Sequence, residues 1–247
     1  MLRLDYLPKH KDIKIYQDPS MFCINTDTEV LGEFIEVYRE DRVLDIGTNT
    51  GALLLYASRF NPKELIGIDI NNEALVIAKK NMEINNINAK LILANGKDFS
   101  LEEKASVVIV NPPYFNVISN EVINNPYLKL AKHEDNFKLI DIINCIDRNL
   151  NNGGTLFMLF ETKRMIEVIR LLDKINIKIK KMQFVFDENK ENSNVFLIKG
   201  VKNAKDGVII NKDIIISRNK WYNLFSKYLG EEHENKKSNN PCSWIWN

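Results

Sequence analysis

The four residues Asn111-Pro112-Pro113-Tyr114 carry groups that together can hold a flat amino group. An amino nitrogen conjugated to a ring or a carbonyl is a poor nucleophile because its lone pair is delocalised, so it must be held in place to react. The Asn111 side-chain oxygen and a backbone carbonyl can each accept one N–H, and proline supplies no competing backbone donor. The Tyr114 ring can stack on a flat substrate, which is worth about 1–3 kcal/mol for a nucleic-acid base. The alternative is a proline turn that closes a strand, with Tyr114 merely packed.

A second cluster, Asp45-Ile46-Gly47-Thr48-Asn49-Thr50-Gly51, follows a short apolar strand and precedes a helix. Ligands of open α/β sheets sit at the carboxyl ends of such strands, where glycine lets the backbone turn tightly and approach them. The pattern is Asp-x-Gly-x-Asn-x-Gly, so it is not the dinucleotide-binding fingerprint. Asn49 can replace a glycine there because asparagine tolerates left-handed backbone angles. We therefore predict a ligand beside this loop, the alternative being an ordinary strand-to-helix turn.

Two further polar groups follow the next predicted strands. Asp69 ends a strand about twenty residues after the glycine loop, where a carboxylate can accept both hydroxyls of a ribose. It can also cap the helix that follows, and the two roles are compatible. The segment Asn95-Gly96-Lys97-Asp98 ends a third strand and either faces the same ligand or forms a solvated turn.

The elements that must position these residues alternate between strand and helix from residue 42 onward. The alternation predicts an α/β fold: a Rossmann-like, seven-stranded, mostly parallel sheet with helices on both faces. The last two strands have no helix between them, so they predict one antiparallel strand in a C-terminal hairpin. Residues 13–17 alternate like a short strand, and residues 26–29 are typical of a capped helix start. Predicted strands cover 42–46, 65–70, 90–94, 106–110, 155–160, 178–186 and 194–200, and predicted helices cover 52–59, 73–85, 137–150 and 163–175.

Composition limits the classes of protein to which the chain can belong. It has 247 residues, of which 45% are hydrophobic and 27% charged, as in globular proteins. The three cysteines are far apart, which indicates neither a disulfide framework nor a metal site and favours a reduced, cytoplasmic protein. No apolar run reaches the ~18 residues of a membrane span, and no signal peptide is expected.

Lysine and arginine total 34 against 33 acidic residues, so net charge alone does not indicate nucleic-acid binding. Two local groups of basic residues are either solvated faces or a track for phosphates. They are Lys9, Lys11 and Lys14 in the first and Lys163, Arg164, Arg170, Lys174, Lys178, Lys180 and Lys181 in the second.

Several of these motifs resemble those of one enzyme class. The loop at 45–51 resembles the first motif of class I S-adenosylmethionine (SAM)-dependent methyltransferases, although Asn49 stands where that motif has glycine. Residues 111–114 resemble the motif of methyltransferases that act on amino groups of adenine, cytosine, guanine or glutamine. Segments within residues 3–32, and Ala131-Lys132-His133-Glu134, resemble bacterial tRNA adenine-N6 methyltransferases, which modify the adenine beside the anticodon of a valine tRNA. The resemblance extends over about residues 1–205.

The resemblance implies SAM as cofactor, and tRNA, suspected to be valine tRNA, as partner. It implies a catalytic clamp made of Asn111, Pro112, Pro113 and Tyr114, with Asn111 also near the cofactor. The amino-acid end of SAM would be held by Asp45 and the loop, and the ribose by Asp69. Either Asn95 or Asp98 would contact the adenine. Thr26 and Asp27 are implied as cofactor residues too, and helix capping is the alternative role for both. The implied cofactor residues are Thr26, Asp27, Asp45, Gly47, Thr48, Asn49, Thr50, Gly51, Asp69, Ile70, Asn95, Gly96 and Asn111.

Other functions share these motifs. A protein-glutamine N5 methyltransferase has the same clamp, as do other methyltransferases of rRNA or DNA amino groups. A catalytically silent RNA-binding protein could keep the fold. We expect a cytoplasmic monomer without an obligate protein partner. We divide the chain into an N-terminal segment (1–40), a methyltransferase domain (41–205) and a partly flexible C-terminal extension (206–247).

Overall fold

The computed structural model describes residues 2–112 and 138–217. The chain begins with an antiparallel hairpin formed by β1 (Arg3–Leu7) and β2 (His10–Gln17), followed by helix α1 (Thr26–Phe34). The predicted strand at 13–17 and the predicted helix start near residue 26 are therefore both present.

A larger sheet contains nine strands within the described residues, and it extends from the short edge strand β5 to the C-terminal strands. Its order is β10-β8-β9-β7-β6-β3-β4-β5, and β11 also pairs with β8. Strand β9 runs antiparallel to β7 and β8, whereas the other pairings are parallel. The strands are β3 (Arg42–Ile46), β4 (Glu64–Asp69), β5 (Lys90–Leu93), β6 (Ala105–Val110), β7 (Leu150–Glu161), β8 (Ile177–Asp187), β9 (Val195–Lys202), β10 (Ile209–Ile210) and β11 (Ile214–Ile216).

The predicted α/β class, the mostly parallel sheet and the single antiparallel strand are confirmed, but the predicted number of seven strands is wrong. The two additional strands, β10 and β11, are two and three residues long, too short to show the alternation by which a strand is recognised in a sequence. Residues 151–154, between the predicted helix that ends at 150 and the predicted strand that begins at 155, lie inside β7. Gly153 adopts a φ of +75° there, where the pairing of β7 with β6 shifts register.

Helices cover both faces of the sheet, as predicted. One core cluster lies beneath α1 and α2 (Ala52–Ser58) and includes Leu54 and Ile109. The other lies beneath α4 (Leu139–Asn149) and α5 (Met165–Lys174) and includes Val108 and Ile143. Neighbouring residues of β6 thus enter opposite cores, which explains its uninterrupted apolar sequence. Within the described ranges, no helix combines the length and apolarity needed to cross a membrane. Four helices follow α1: α2 (Ala52–Ser58), α3 (Asn72–Ile84), α4 (Leu139–Asn149) and α5 (Met165–Lys174).

Candidate functional site

The predicted site residues emerge at one edge of the sheet because three parallel strands end in register. Ile46 of β3 lies opposite Val110 of β6 on one side and opposite Ile68 of β4 on the other. Gly47 and Asn111 follow the ends of β3 and β6, and Asp69 is the last residue of β4, so the three lie side by side. This is the carboxyl edge, where parallel sheets bind ligands.

The loop after β3 (residues 47–51, the glycine loop) is fixed by its backbone. The N–H groups of Gly47 and Thr48 both donate to the Ile68 carbonyl at 2.9 Å. Gly47, Asn49 and Gly51 have φ values of +75°, +49° and +82°, so the predicted left-handed conformation of Asn49 is confirmed. A Cβ added at Gly47 would meet no atom of residues 2–112 or 138–217 within 4 Å, so this position faces open space within the described part of the chain. The loop thus presents bare backbone toward a ligand.

Asp45 is a buried carboxylate that pairs with no cationic side chain among the residues that the structure describes. Its side chain lies in the interior at 1% exposure, and neither oxygen has a hydrogen-bond partner among the described residues. Burial, reinforced by the negative charge of Asp69, raises the pKa of Asp45 to about 7. The Thr48 hydroxyl lies near enough to oppose this rise, without reaching hydrogen-bond geometry. An unpaired buried charge is costly, so a cationic ligand group at this edge would be stabilised by Asp45.

Asp69 is tied into the site by backbone donors. Its Oδ2 accepts the Asn49 N–H at 2.7 Å, and its Oδ1 accepts the Asn71 N–H at 2.8 Å. Burial raises the pKa of Asp69, and these N–H bonds oppose the rise. A carboxylate has about four acceptor positions, so Asp69 keeps capacity to take a ribose hydroxyl. The predicted cap role is wrong, because Asn71 is the residue that caps α3, accepting from the N–H groups of Glu73 and Ala74.

The loop after β5 has the geometry of a closed turn. The Asn95 Oδ1 accepts the Lys97 N–H at 2.9 Å, and Asp98 is exposed. Arg148 of α4 donates to the carbonyls of Gly96 and Lys97 at 2.7 and 2.6 Å, so a helix from elsewhere in the chain fixes this loop. The Asn95 Oδ1 thus already accepts one hydrogen bond in the turn, and the predicted contact of Asn95 with a ligand stays a prediction.

Asn111 and Pro112 follow β6 directly, and they are half-buried and buried respectively. Pro113 and Tyr114, which complete the predicted clamp, lie outside the described residues, as does the 131–134 segment. The structure thus brings the first half of the clamp to the glycine loop.

Thr26 and Asp27 form the first turn of α1, but neither is its cap. Asn25 is the N-cap, and its Oδ1 accepts the Thr28 N–H at 2.9 Å. The predicted capping role is therefore wrong by one residue. Asp27 is buried at 2% exposure, and Thr26 is half-buried.

Sequence reasoning missed two asparagine contacts that join the N-terminal segment to the site. The Asn49 Nδ2 donates to the Phe22 carbonyl at 2.9 Å. Asn81, which is fully buried on α3, binds the N–H and C=O of Tyr16 and also donates to the Thr50 carbonyl. The available signal for Asn81 is a polar residue on the apolar face of an otherwise amphipathic helix.

Several lysine and arginine side chains of the two predicted basic groups form ion pairs with acidic side chains. Such pairing neutralises charge, so it favours the solvated-face interpretation over a phosphate track for these residues. The pairs are Lys9–Glu29, Lys163–Glu161, Arg164–Glu167, Lys178–Asp173 and Lys181–Glu36.

Comparison with known proteins relates this site to methyltransferases. Residues 12–121 match the family model described as the methyltransferase small domain. A tRNA1(Val) (adenine(37)-N6)-methyltransferase of Vibrio campbellii is 31% identical over 150 residues, which are 60% of this chain and 62% of that protein. A release factor glutamine methyltransferase of Flavobacterium psychrophilum is 30% identical over 149 residues, which are 56% of this chain and 52% of that protein. The chain spans less than two thirds of the length of each of these relatives.

The fold comparison is consistent with the sequence match. The crystal structure of a predicted O-methyltransferase from Agrobacterium tumefaciens has a TM-score of 0.59 and 14% identity, covering 86% of this chain and all of that one. At such low identity the likeness concerns the fold alone, which is the Rossmann-like fold of methyltransferases.

Proposed function

We propose that this chain, whose residues 12–121 belong to the methyltransferase small domain family, is a SAM-dependent methyltransferase acting on the N6 amino group of an adenine in tRNA. The observation that carries the proposal is the position of Asn111. Because Val110 pairs with Ile46, Asn111 leaves the sheet beside the glycine loop. A side chain that accepts hydrogen bonds from an amino group therefore lies next to the predicted cofactor loop.

The residues at the carboxyl edge fit SAM, which the family match also supports. The buried, unpaired carboxylate of Asp45 suits the cationic ammonium of the methionine end, and the open space at Gly47 leaves room beside the loop. Asp69 keeps acceptor positions for the ribose hydroxyls, and Ile70, Asn95 and Gly96 follow as neighbours of the adenine. When bound, SAM supplies a methyl group on a positively charged sulfur.

The role of the clamp is to hold the amino group that becomes methylated. Asn111 Oδ1 and the Pro112 carbonyl would each accept one N–H, which holds the nitrogen lone pair in line with the methyl group. The nitrogen is cationic after transfer and loses its proton readily, so no strong base is needed. Pro113 and Tyr114 would complete the clamp, with Tyr114 stacked on a base that has left its own stack.

The choice of tRNA adenine rests on two supports. One is the similarity to the Vibrio campbellii enzyme, whose name gives that substrate. The other is the resemblance of the N-terminal segment to tRNA adenine-N6 methyltransferases. A tRNA substrate would place the protein in the cytoplasm, where we expect a monomer. The second candidate is methylation of a release-factor glutamine, which the similarity to the Flavobacterium psychrophilum protein favours.

The substrate is tested by supplying methyl-labelled SAM with bulk tRNA, with release factor or with duplex DNA. We expect label in tRNA, recovered as N6-methyladenosine after digestion to nucleosides. Label in the release factor instead would establish the second candidate. SAM binding without label in any substrate would indicate a silent member of the fold.

The clamp is tested by Asn111→Ala. We expect SAM binding to be kept and methyl transfer to fall roughly 10²–10³-fold, the effect of losing one hydrogen-bonding group at a reacting centre. Asn88→Ala, which removes an exposed asparagine before β5, is the control and should keep full activity. Undiminished turnover by Asn111→Ala would show that the clamp assignment is wrong.

A further inference from the structure

Asn49 stands where the methyltransferase motif has its middle glycine, and it has the left-handed φ of +49° that glycine adopts without strain. Replacing glycine there confers no advantage in backbone geometry. A side chain at this position is therefore expected to have a use of its own.

That use is visible in one side-chain hydrogen bond, and the backbone N–H of the same residue makes a second bond. The Asn49 Nδ2 donates to the Phe22 carbonyl at 2.9 Å, and its backbone N–H donates to Asp69 Oδ2 at 2.7 Å. One residue thus joins the N-terminal segment to the carboxylate that we assign to the ribose. Phe22 itself keeps 40% of its surface exposed at this point.

Residues 18–25, which we call the strap, are anchored at both ends. At the start, the N–H and C=O of Tyr16 are held by Asn81, which also binds the Thr50 carbonyl of the glycine loop. At the end, Asn25 caps α1. The Asn49–Phe22 bond joins the interior of the strap to the same loop. The strap is therefore positioned to cover the glycine loop, and Asn49 holds its middle.

We propose that Asn49 is a positioning residue that holds the strap against the glycine loop and thereby slows the exchange of SAM. The inference rests on the proposed function, because it takes the ligand of the loop to be SAM. Asn49 does not touch the reacting atoms, so its effect falls on the binding and release of SAM rather than on methyl transfer.

The test is Asn49→Gly, which removes the side-chain bond and leaves a backbone that adopts positive φ freely. Losing one hydrogen bond should raise the SAM dissociation rate and the KM for SAM about two- to tenfold, with kcat for tRNA changed less than about twofold. The matched control is Asn61→Gly, at an exposed turn with a φ of +51° that should show the same backbone effect without any effect on SAM. Release is followed by chasing labelled SAM from the full chain.

A second measurement does not need a ligand. Amide hydrogen exchange of residues 18–25 in the protein without SAM should be faster in Asn49→Gly than in the wild type or in Asn61→Gly. If Asn49→Gly releases SAM at the wild-type rate and its strap amides also exchange at the wild-type rate, the proposal is overturned. Faster exchange in the strap, with no SAM binding even by the wild type, would retain the tether and overturn the proposed function.

Discussion

The buried carboxylate of Asp45 makes a prediction that can be measured without substrate. Its pKa rises from 3.8 to about 7 because burial penalises the charged form. The folded state therefore holds a proton that the unfolded state releases, and stability falls as pH rises from 3.8 to about 7. Each pH unit in that window costs about 1.36 kcal/mol, so the loss between pH 5 and pH 8 is about 2–3 kcal/mol.

The perturbation is Asp45→Asn, which removes the charge and keeps the shape. The free energy of unfolding is measured by urea titration of both proteins at pH 5 and at pH 8, without SAM. The free energy of unfolding of the variant minus that of the wild type should be about 2–3 kcal/mol larger at pH 8 than at pH 5. Any cost of burying the amide is the same at both pH values and cancels in the comparison. Asp69 is present in both proteins, so its own titration contributes to both.

Asp98→Asn, which removes an exposed carboxylate from the same edge, controls for the change in net charge. A difference in free energy of unfolding between Asp45→Asn and the wild type that is equal at pH 5 and pH 8 would refute the reasoning. In a separate titration at pH 8, saturating SAM should stabilise the wild type more than Asp45→Asn, because the ligand ammonium compensates a charge that the variant lacks.

Two further predictions concern Asp69 and Asn81. Asp69→Ala should weaken SAM binding at least about tenfold, since it removes acceptors for the ribose and for the Asn49 N–H, and a calorimetric titration with wild-type affinity would contradict its role. Asn81→Ala should lower the free energy of unfolding by about 2–4 kcal/mol because a fully buried amide loses three hydrogen bonds, whereas half-buried Asn85→Ala should lower it by about 1 kcal/mol. Equal losses in urea titrations of the two variants would show that the deeper burial of the Asn81 amide adds no stability.

The part of the site that follows from local sequence was predictable. The apolar run of β6 is buried on both faces. Its end, and hence the position of Asn111, can therefore be predicted from the local sequence alone. The left-handed turn at Asn49 follows from the types of residue in the glycine loop. Parallel strands then bring these ends to one edge regardless of the details of packing.

The other features depend on contacts between residues distant in sequence or on a choice among near-equivalent neighbours. Asn25, Thr26 and Asp27 are all good cap residues, but Asn25 is the one with the extended backbone of a cap, at φ −127° and ψ −177°. The bond from Asn49 to Phe22 spans 27 residues, so no local pattern reveals it. Strands β10 and β11 exist because the outer edge of β8 is available to them.

Asn81 of α3, together with Asn85, which caps the end of that helix, has a consequence for how the protein avoids self-association. Lys14 and Tyr16, two residues apart on β2, direct their backbone groups away from β1 toward α3. Asn85 binds the N–H and C=O of Lys14, and Asn81 does the same for Tyr16, so two side chains occupy the places of a neighbouring strand. An uncovered strand edge would invite pairing with another chain. The amides therefore close the outer edge of the hairpin against strand addition.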